Sequence, residues 1–194
     1  MRLLKSAELK RMAWKNGGGE TVEVFVHPPG AGLSDFDWRV SMAHVAADGP
    51  FSCFEGIDRT LALLEGEGMR LAIEGQGEVL LTPASPPLSF PADVPTQAAL
   101  SGGPITDLNV MTRRGVLRHQ VERLALDAGE SLHLSSRPAR WWLLLATGSL
   151  RIEASGEDVS LAAHDSLMGE GALPTLAIHS ADTPVTLFAI TIAP

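Results

Sequence analysis

The segment TDLNVMT carries an acid, an amide and a thioether at alternating positions, Asp107, Asn109 and Met111. Residues two apart share a face of an extended strand, so the carboxyl and the carboxamide project together while Leu108 and Val110 point the other way. Two further segments add cations. In FDWRVSMAH, Arg39 and Ser41 share a face opposite Trp38, Val40 and Met42; in DRTLALL, Arg59 heads a face continued by Leu61 and Leu63. A guanidinium leading into an apolar face either snorkels to water or anchors an anion. The planar fork of arginine matches a carboxylate in two-point contact. The chemistry these residues suit is the capture of a small carboxylate by Arg39 and Arg59, with Asn109 orienting its polar remainder. Asp107 offers a second chemistry, general acid or base catalysis on the same molecule. No activated nucleophile accompanies it: Ser41 lacks a recognisable base, and neither a nucleophile elbow nor a Cys/His pair occurs.

A fourth stretch, WKNGGGETVEV, sets Lys15 and Asn16 before three consecutive glycines. Three glycines lose much backbone entropy on folding, so the run requires positive φ or a close backbone approach. It is not a phosphate loop, because the lysine precedes the glycines and no Gly-Lys-Ser/Thr follows. Two readings remain: an anion-binding nest with Lys15 and Asn16 facing the ligand, or a tight turn into the first long strand.

The elements that must position these residues are strands. Short alternating or apolar runs (ETVEVFVH, FDWRVSMAHV, RTLALLEG, MRLAIEG, TDLNVMT, RWWLLLATG, SLRIEA and VTLFAITIA) are punctuated by Gly, Pro, Asp and Ser at the spacing of a sandwich or barrel. SAELKRMAW is the one helix candidate, with Ser6 as its cap. ADGPFSCF, between Arg39 and Arg59, reads as a turn around Asp48-Gly49-Pro50. The fold class is all-β.

Some segments repeat. LLEGEGMRLAI (63–73) aligns with LLLATGSLRIE (143–153), and PITDLNVM (104–111) with PVTLFAIT (184–191), both offset by 80 positions without a gap. This predicts an internal duplication into two tandem small barrels or sandwiches, bicupin-like, with 1–118 carrying the site and 119–194 mainly structural. At the positions of Asp107, Asn109 and Met111 the second copy has Leu187, Ala189 and Thr191. Buried polar groups are expensive without partners, so the site belongs to the first copy and packing to the second.

Composition narrows the function classes. The chain has 194 residues, 45% hydrophobic, with a formal charge of −8, which does not suit a phosphate-neutralising surface for nucleic acid. No apolar run is long enough to span a bilayer, and Lys and Glu interrupt the start, so a cytoplasmic location without membrane attachment is expected. The single cysteine, Cys53, reads as a small, partly buried residue and can form no internal disulfide. Six histidines (His27, His44, His119, His133, His164 and His179) include no His-x-His pair, so neither metal nor other cofactor is expected. Sheet edges are pairing surfaces, which leaves a homodimer open.

In this order, WKNGGGETVEV, FDWRVSMAHVAADGPFSCFEGIDRTLALLEGEG and GPITDLNVMTRR resemble the HutD/Ves family, over roughly the first 115 residues. The resemblance implies a small cytoplasmic bacterial protein with a cupin-type double barrel, encoded with histidine-utilisation enzymes. It also implies modulation of histidine or urocanate breakdown through a bound pathway metabolite, with no known reaction. Carried onto this chain, the family's motif residues are Lys15, Asn16 and the following glycines, Thr21, Trp38, Arg39, Ser41, Arg59, Asp107, Asn109 and Arg113. The ligand so implied is a small carboxylate: urocanate, or a formyl or formimino derivative of glutamate. A purely structural or protein-binding bicupin would instead leave these polar residues exposed and scattered.

Overall fold

Alternation with a period of two, broken every few residues by glycine or proline, can bury a face only by pairing strands. The computed structural model of the chain describes residues 1–15, 17–154 and 156–194. Among them the first ten strands are β1 (Arg2–Leu4), β2 (Lys10–Ala13), β3 (Gly19–His27), β4 (Trp38–Val45), β5 (Gly49–Pro50), β6 (Ile57–Glu65), β7 (Met69–Ile73), β8 (Gly77–Leu81), β9 (Leu88–Pro91) and β10 (Thr96–Leu100). The remainder are β11 (Ile105–Arg113), β12 (Arg118–Leu126), β13 (Ser131–Leu134), β14 (Trp141–Ala146), β15 (Leu150–Ala154), β16 (Glu157–Leu161), β17 (Ser166–Glu170), β18 (Leu176–Ser180) and β19 (Val185–Ala193). The fold is all-β, with no helix long and apolar enough to cross a membrane among the described residues.

The chain divides into two compact units, Lys10–Arg118, and His119–Pro194 together with Met1–Leu9. The first nine residues thus differ from the expected 1–118 boundary. β1 pairs antiparallel with β17 through Arg2↔Met168 and Leu4↔Ser166, so its backbone bonds lie with the later unit. The expected helix is a single 3-10 turn, Ser6–Glu8, and Ser6 does not cap it. Its backbone N–H instead donates to Asp165 Oδ1 at 2.9 Å, while Lys5 Nζ donates to Oδ2 of the same carboxylate.

The Lys10–Arg118 unit has a six-stranded sheet, β2-β3-β4-β11-β6-β9, and a four-stranded one, β5-β10-β7-β8. The smaller sheet has one wet face: Met69, Leu71 and Ile73 are buried while Arg70 and Ala72 are exposed. The central strands of the larger sheet, β4, β6 and β11, are buried on both faces over most of their length. Its inner core joins Ala43, Leu61, Leu63 and Ile105 with Met69, Leu71, Ile73 and Phe90. The later unit has a five-stranded sheet, β1-β17-β14-β19-β12, and a four-stranded one, β13-β18-β15-β16. The order β4-β11-β6-β9 is matched by β12-β19-β14-β17, and β5-β10-β7-β8 by β13-β18-β15-β16.

Trp14, Lys15, Gly17 and Gly18 lie between β2 and β3. Gly17 has φ +72, and its N–H donates to the Trp14 carbonyl at 3.1 Å. Gly19 is a close approach: a Cβ there would stand 2.1 Å from the His44 carbonyl oxygen. Asn16 lies outside the described residues.

Candidate functional site

Three rungs of antiparallel pairing place the chemistry. Met111 on β11 faces Arg39 on β4 and Arg59 on β6; Asn109 faces Ser41 and Leu61; Asp107 faces Ala43 and Leu63. With neighbouring strands about 4.8 Å apart, the two arginines start about 10 Å from each other across Met111. β3 adds Thr21 opposite Ala43 and Glu23 opposite Ser41. A bulge between Glu23 and Phe25 then resets the register, so Phe25 pairs with Val40 and stacks on Trp38 with ring centres 4.9 Å apart. Without that extra residue Phe25 would face Arg39 and enter the site.

This face forms one wall of a cavity of about 590 Å3, within the range of small-molecule sites. Arg39, Ser41, Arg59, Asp107 and Asn109 line it and are all buried; Lys15 lines it from an exposed position. Five of the expected ligand residues are therefore gathered on one face, with Lys15 at the rim. Arg113 is not in the lining. Its guanidinium donates to the Phe36 carbonyl at 2.7 Å and lies 3.7 Å from Asp37, holding the loop before β4. Trp38 is fully buried on the opposite face of β4.

Each arginine is held differently. Arg39 Nε donates to Glu23 Oε2 and its Nη1 to Ser41 Oγ, both at 3.0 Å. Arg59 Nη2 donates to the Ser52 carbonyl at 3.0 Å. Its guanidinium carbon stands 5.2 Å from the Phe51 ring centre, 5.4 Å from Phe54 and 5.8 Å from Phe90, a three-sided aromatic cage. Burial draws the Arg59 pKa down to about 10, against the opposing pull of Asp107. Its Nε is buried without a hydrogen-bond partner among the described residues.

Asp107 is fully buried. Asn109 Nδ2 donates to its Oδ1 at 2.5 Å, whereas its Oδ2 has no partner among the described residues. Burial pushes the carboxyl up to about 7, outweighing the stabilisation of its charge by Arg59, the Ala43 backbone and Asn109. An orphaned donor on Arg59 and an orphaned acceptor on Asp107 in one cavity are the features a polar ligand would satisfy. Two guanidiniums and one carboxyl are a poor donor set for a divalent cation, and no cluster of three metal-ligating side chains occurs among the described residues.

Sequence reasoning missed Glu23 and the aromatic cage. Glu23 shares a face with Thr21 by the same alternation that exposed the other positions. The cage is visible in FSCF only as two aromatics flanking a short loop. That region is not the simple turn expected, because Gly49 and Pro50 pair with β10 and Asp48 Oδ1 accepts the Leu100 N–H at 2.8 Å. Cys53 is exposed rather than partly buried, since Phe51 and Phe54 take the inward positions of its segment.

Relatives support the fold. A Cupin 2 conserved barrel domain protein from Leptotrichia buccalis shares the fold at a TM-score of 0.58 with 12% identity, covering 97% of this chain and 99% of the other. The conserved protein of unknown function PA5104 from Pseudomonas aeruginosa PAO1 superposes at a TM-score of 0.86 with 32% identity, covering 100% and 98%. HutD from Pseudomonas fluorescens SBW25 superposes at 0.76 with 27% identity, covering 100% and 99%. An uncharacterised 21.2 kDa protein in the hutC 3′ region of Pseudomonas putida is 33% identical over 172 residues, 88% of this chain and 87% of that protein. The HutD family model matches residues 6–185, reaching well past the motifs into the later unit, and on that extent the chain belongs to the HutD family.

Proposed function

We propose that the protein binds a small carboxylate metabolite in the cavity of its Lys10–Arg118 unit and serves as a regulatory or accessory component of histidine catabolism. One observation carries this reading: Arg59 is buried in an aromatic cage with its Nε unpartnered among the described residues, on the same cavity wall as Arg39 and the Asp107 oxygen that likewise has no partner among them. Desolvating a guanidinium is costly, and an entering carboxylate offsets that cost with charge-assisted bonds. The pathway setting is supported by the relatives' descriptions, one as HutD and one as lying in the hutC 3′ region. Urocanate and formyl- or formimino-glutamate each present a carboxylate of suitable size. The matching strand orders of the two units support descent from a duplicated cupin-like barrel.

Thermal shift against these acids tests the reading. An acid at about 100 times its Kd adds roughly 2.7 kcal/mol of stability. Arg59→Ala removes the shift, and Arg151→Ala, on the exposed side of β15, retains it. No shift with any of the acids at millimolar concentration refutes the proposal. A second reading, catalysis with Asp107 as general acid or base, is favoured by a carboxyl poised near neutrality. Mass spectrometry of the same mixtures separates the two, since turnover of an acid identifies an enzyme.

A further inference from the structure

Each buried arginine of the cavity wall has an acidic group near it. Arg39 is neutralised by Glu23 at 3.0 Å. Arg59 has no salt bridge among the described residues, and the group whose negative charge chiefly supports its cation is Asp107. The other charged or titratable groups on this side are Lys15 at the exposed rim, Asp48, whose Oδ1 is taken by the Leu100 N–H, and the exposed Cys53 thiol. With Asp107 ionised, the buried Arg39, Arg59 and Asp107 together with the half-buried Glu23 are neutral, and a carboxylate entering would be an uncompensated anion beside another carboxylate. With Asp107 protonated, the same set carries one positive charge and suits one carboxylate.

Resting on the carboxylate-binding reading above, we propose that the cavity takes up its ligand together with a proton, the ligand carboxylate replacing Asp107 as the counter-ion of Arg59 while Asp107 becomes a neutral carboxylic acid. The proton comes from solvent and resides on Oδ2, because Oδ1 already accepts the Asn109 Nδ2–H. No bond to the ligand forms or breaks. The exchange converts the orphaned acceptor into an O–H donor on the cavity wall and leaves the buried charge balanced. Burial raises the Asp107 carboxyl to about 7, which brings the exchange within the physiological range.

The probe is N-formylglutamate, both of whose carboxyls stay ionised from pH 6.0 to 8.5: one replaces Asp107 as the counter-ion of Arg59 and the other stays at the exposed rim beside Lys15. Isothermal titration of the whole protein, in paired buffers of different ionisation enthalpy, measures affinity and proton uptake together. If only the protonated form binds and the free carboxyl titrates at about 7, Kd rises about 30-fold between pH 6.0 and 8.5, with close to one proton taken up per ligand at the upper end. Asp107→Asn abolishes both the proton uptake and the pH dependence. Equal affinity at both pH values with no proton uptake overturns the inference and leaves the carboxylate reading standing; no binding at either pH overturns both. Carbon-13 NMR of aspartate-labelled wild type provides a second measure that needs no variant. An Asp107 carboxyl that titrates near neutrality and moves upward with N-formylglutamate supports the exchange, and one that titrates in the ordinary carboxylate range overturns it.

Discussion

Replacing Asp107 by asparagine keeps the shape of the side chain and its contact with Asn109 but removes its ability to ionise. In the folded protein the carboxyl is raised from its ordinary 3.8 to about 7, chiefly by burial. Between these values the unfolded chain has released the proton and the folded chain still holds it. The stability contributed by this group is therefore fully present below pH 3.8 and is lost as the pH climbs through 7. Each pH unit is worth about 1.4 kcal/mol, so the wild type loses about 4 kcal/mol from this source between pH 4 and pH 7.5. Asp107→Asn does not share that loss. The difference in stability between variant and wild type should move in the variant's favour by about 1.4 kcal/mol per pH unit and level off above neutrality. Because other titrating groups are common to both proteins, they cancel in the difference. Urea unfolding at a series of pH values, followed by NMR cross-peaks of β11, confines the measurement to the unit that holds the residue. A difference flat to within about 1 kcal/mol, or one that grows in the wild type's favour, would refute the claim that this carboxyl is buried and raised.

Two further substitutions test the frame around the site. Glu23→Ala leaves the buried Arg39 without its anion and should cost about 3 kcal/mol in chemical denaturation; a loss below about 1 kcal/mol would mean that water, rather than Glu23, satisfies the guanidinium. Gly19→Ala drives a Cβ to 2.1 Å from the His44 carbonyl oxygen, a backbone atom that cannot swing aside. That variant should lose roughly 2 kcal/mol or more and show lower hydrogen-exchange protection where β3 pairs with β4, whereas Gly17→Asn, at a positive φ with open space around its Cα, should lose much less.

The side-chain period of two made much of the site legible. Alternation alone set Arg39 with Ser41, Asp107 with Asn109, and Arg59 with Leu61 and Leu63, and pairing then placed all three faces together. What alternation could not supply was register. A slip of one residue moves a whole strand to its other face, and the bulge at Glu23–Phe25 decides that Glu23 pairs opposite Ser41 within reach of Arg39 while Phe25 turns to the Trp38 face. Arg113 stands two positions beyond Met111 and continues the same alternation, yet it lies at the end of β11, where loop carbonyls capture its guanidinium. The N-terminal residues went to the other unit for a similarly non-local reason: three residues too short to pair by themselves dock on an edge that the chain builds more than 160 positions later.

The two units also give the same framework opposite interiors. Arg59 on β6 faces Met111 and, on its other side, Phe90; in the later unit Trp142 on β14 faces Thr191 and Gly169. The glycine makes room for the indole, since a Cβ at 169 would lie 2.5 Å from the Trp142 ring. Trp142, Leu144, Leu187 and Ala189 then fill the space with hydrocarbon. A hydrophobic interior is evidently compatible with this strand order, so the ions of the first unit are not what its barrel needs in order to fold. Replacing buried groups of opposite charge as a set with apolar residues is commonly neutral or stabilising by about 1–4 kcal/mol, whereas removing one alone is destabilising. The double variant Arg59→Leu/Asp107→Leu should therefore melt no lower than wild type while losing every carboxylate-induced shift, and each single variant should melt lower than the double. A double variant that loses stability as the singles do would assign these charges to the architecture rather than to a ligand.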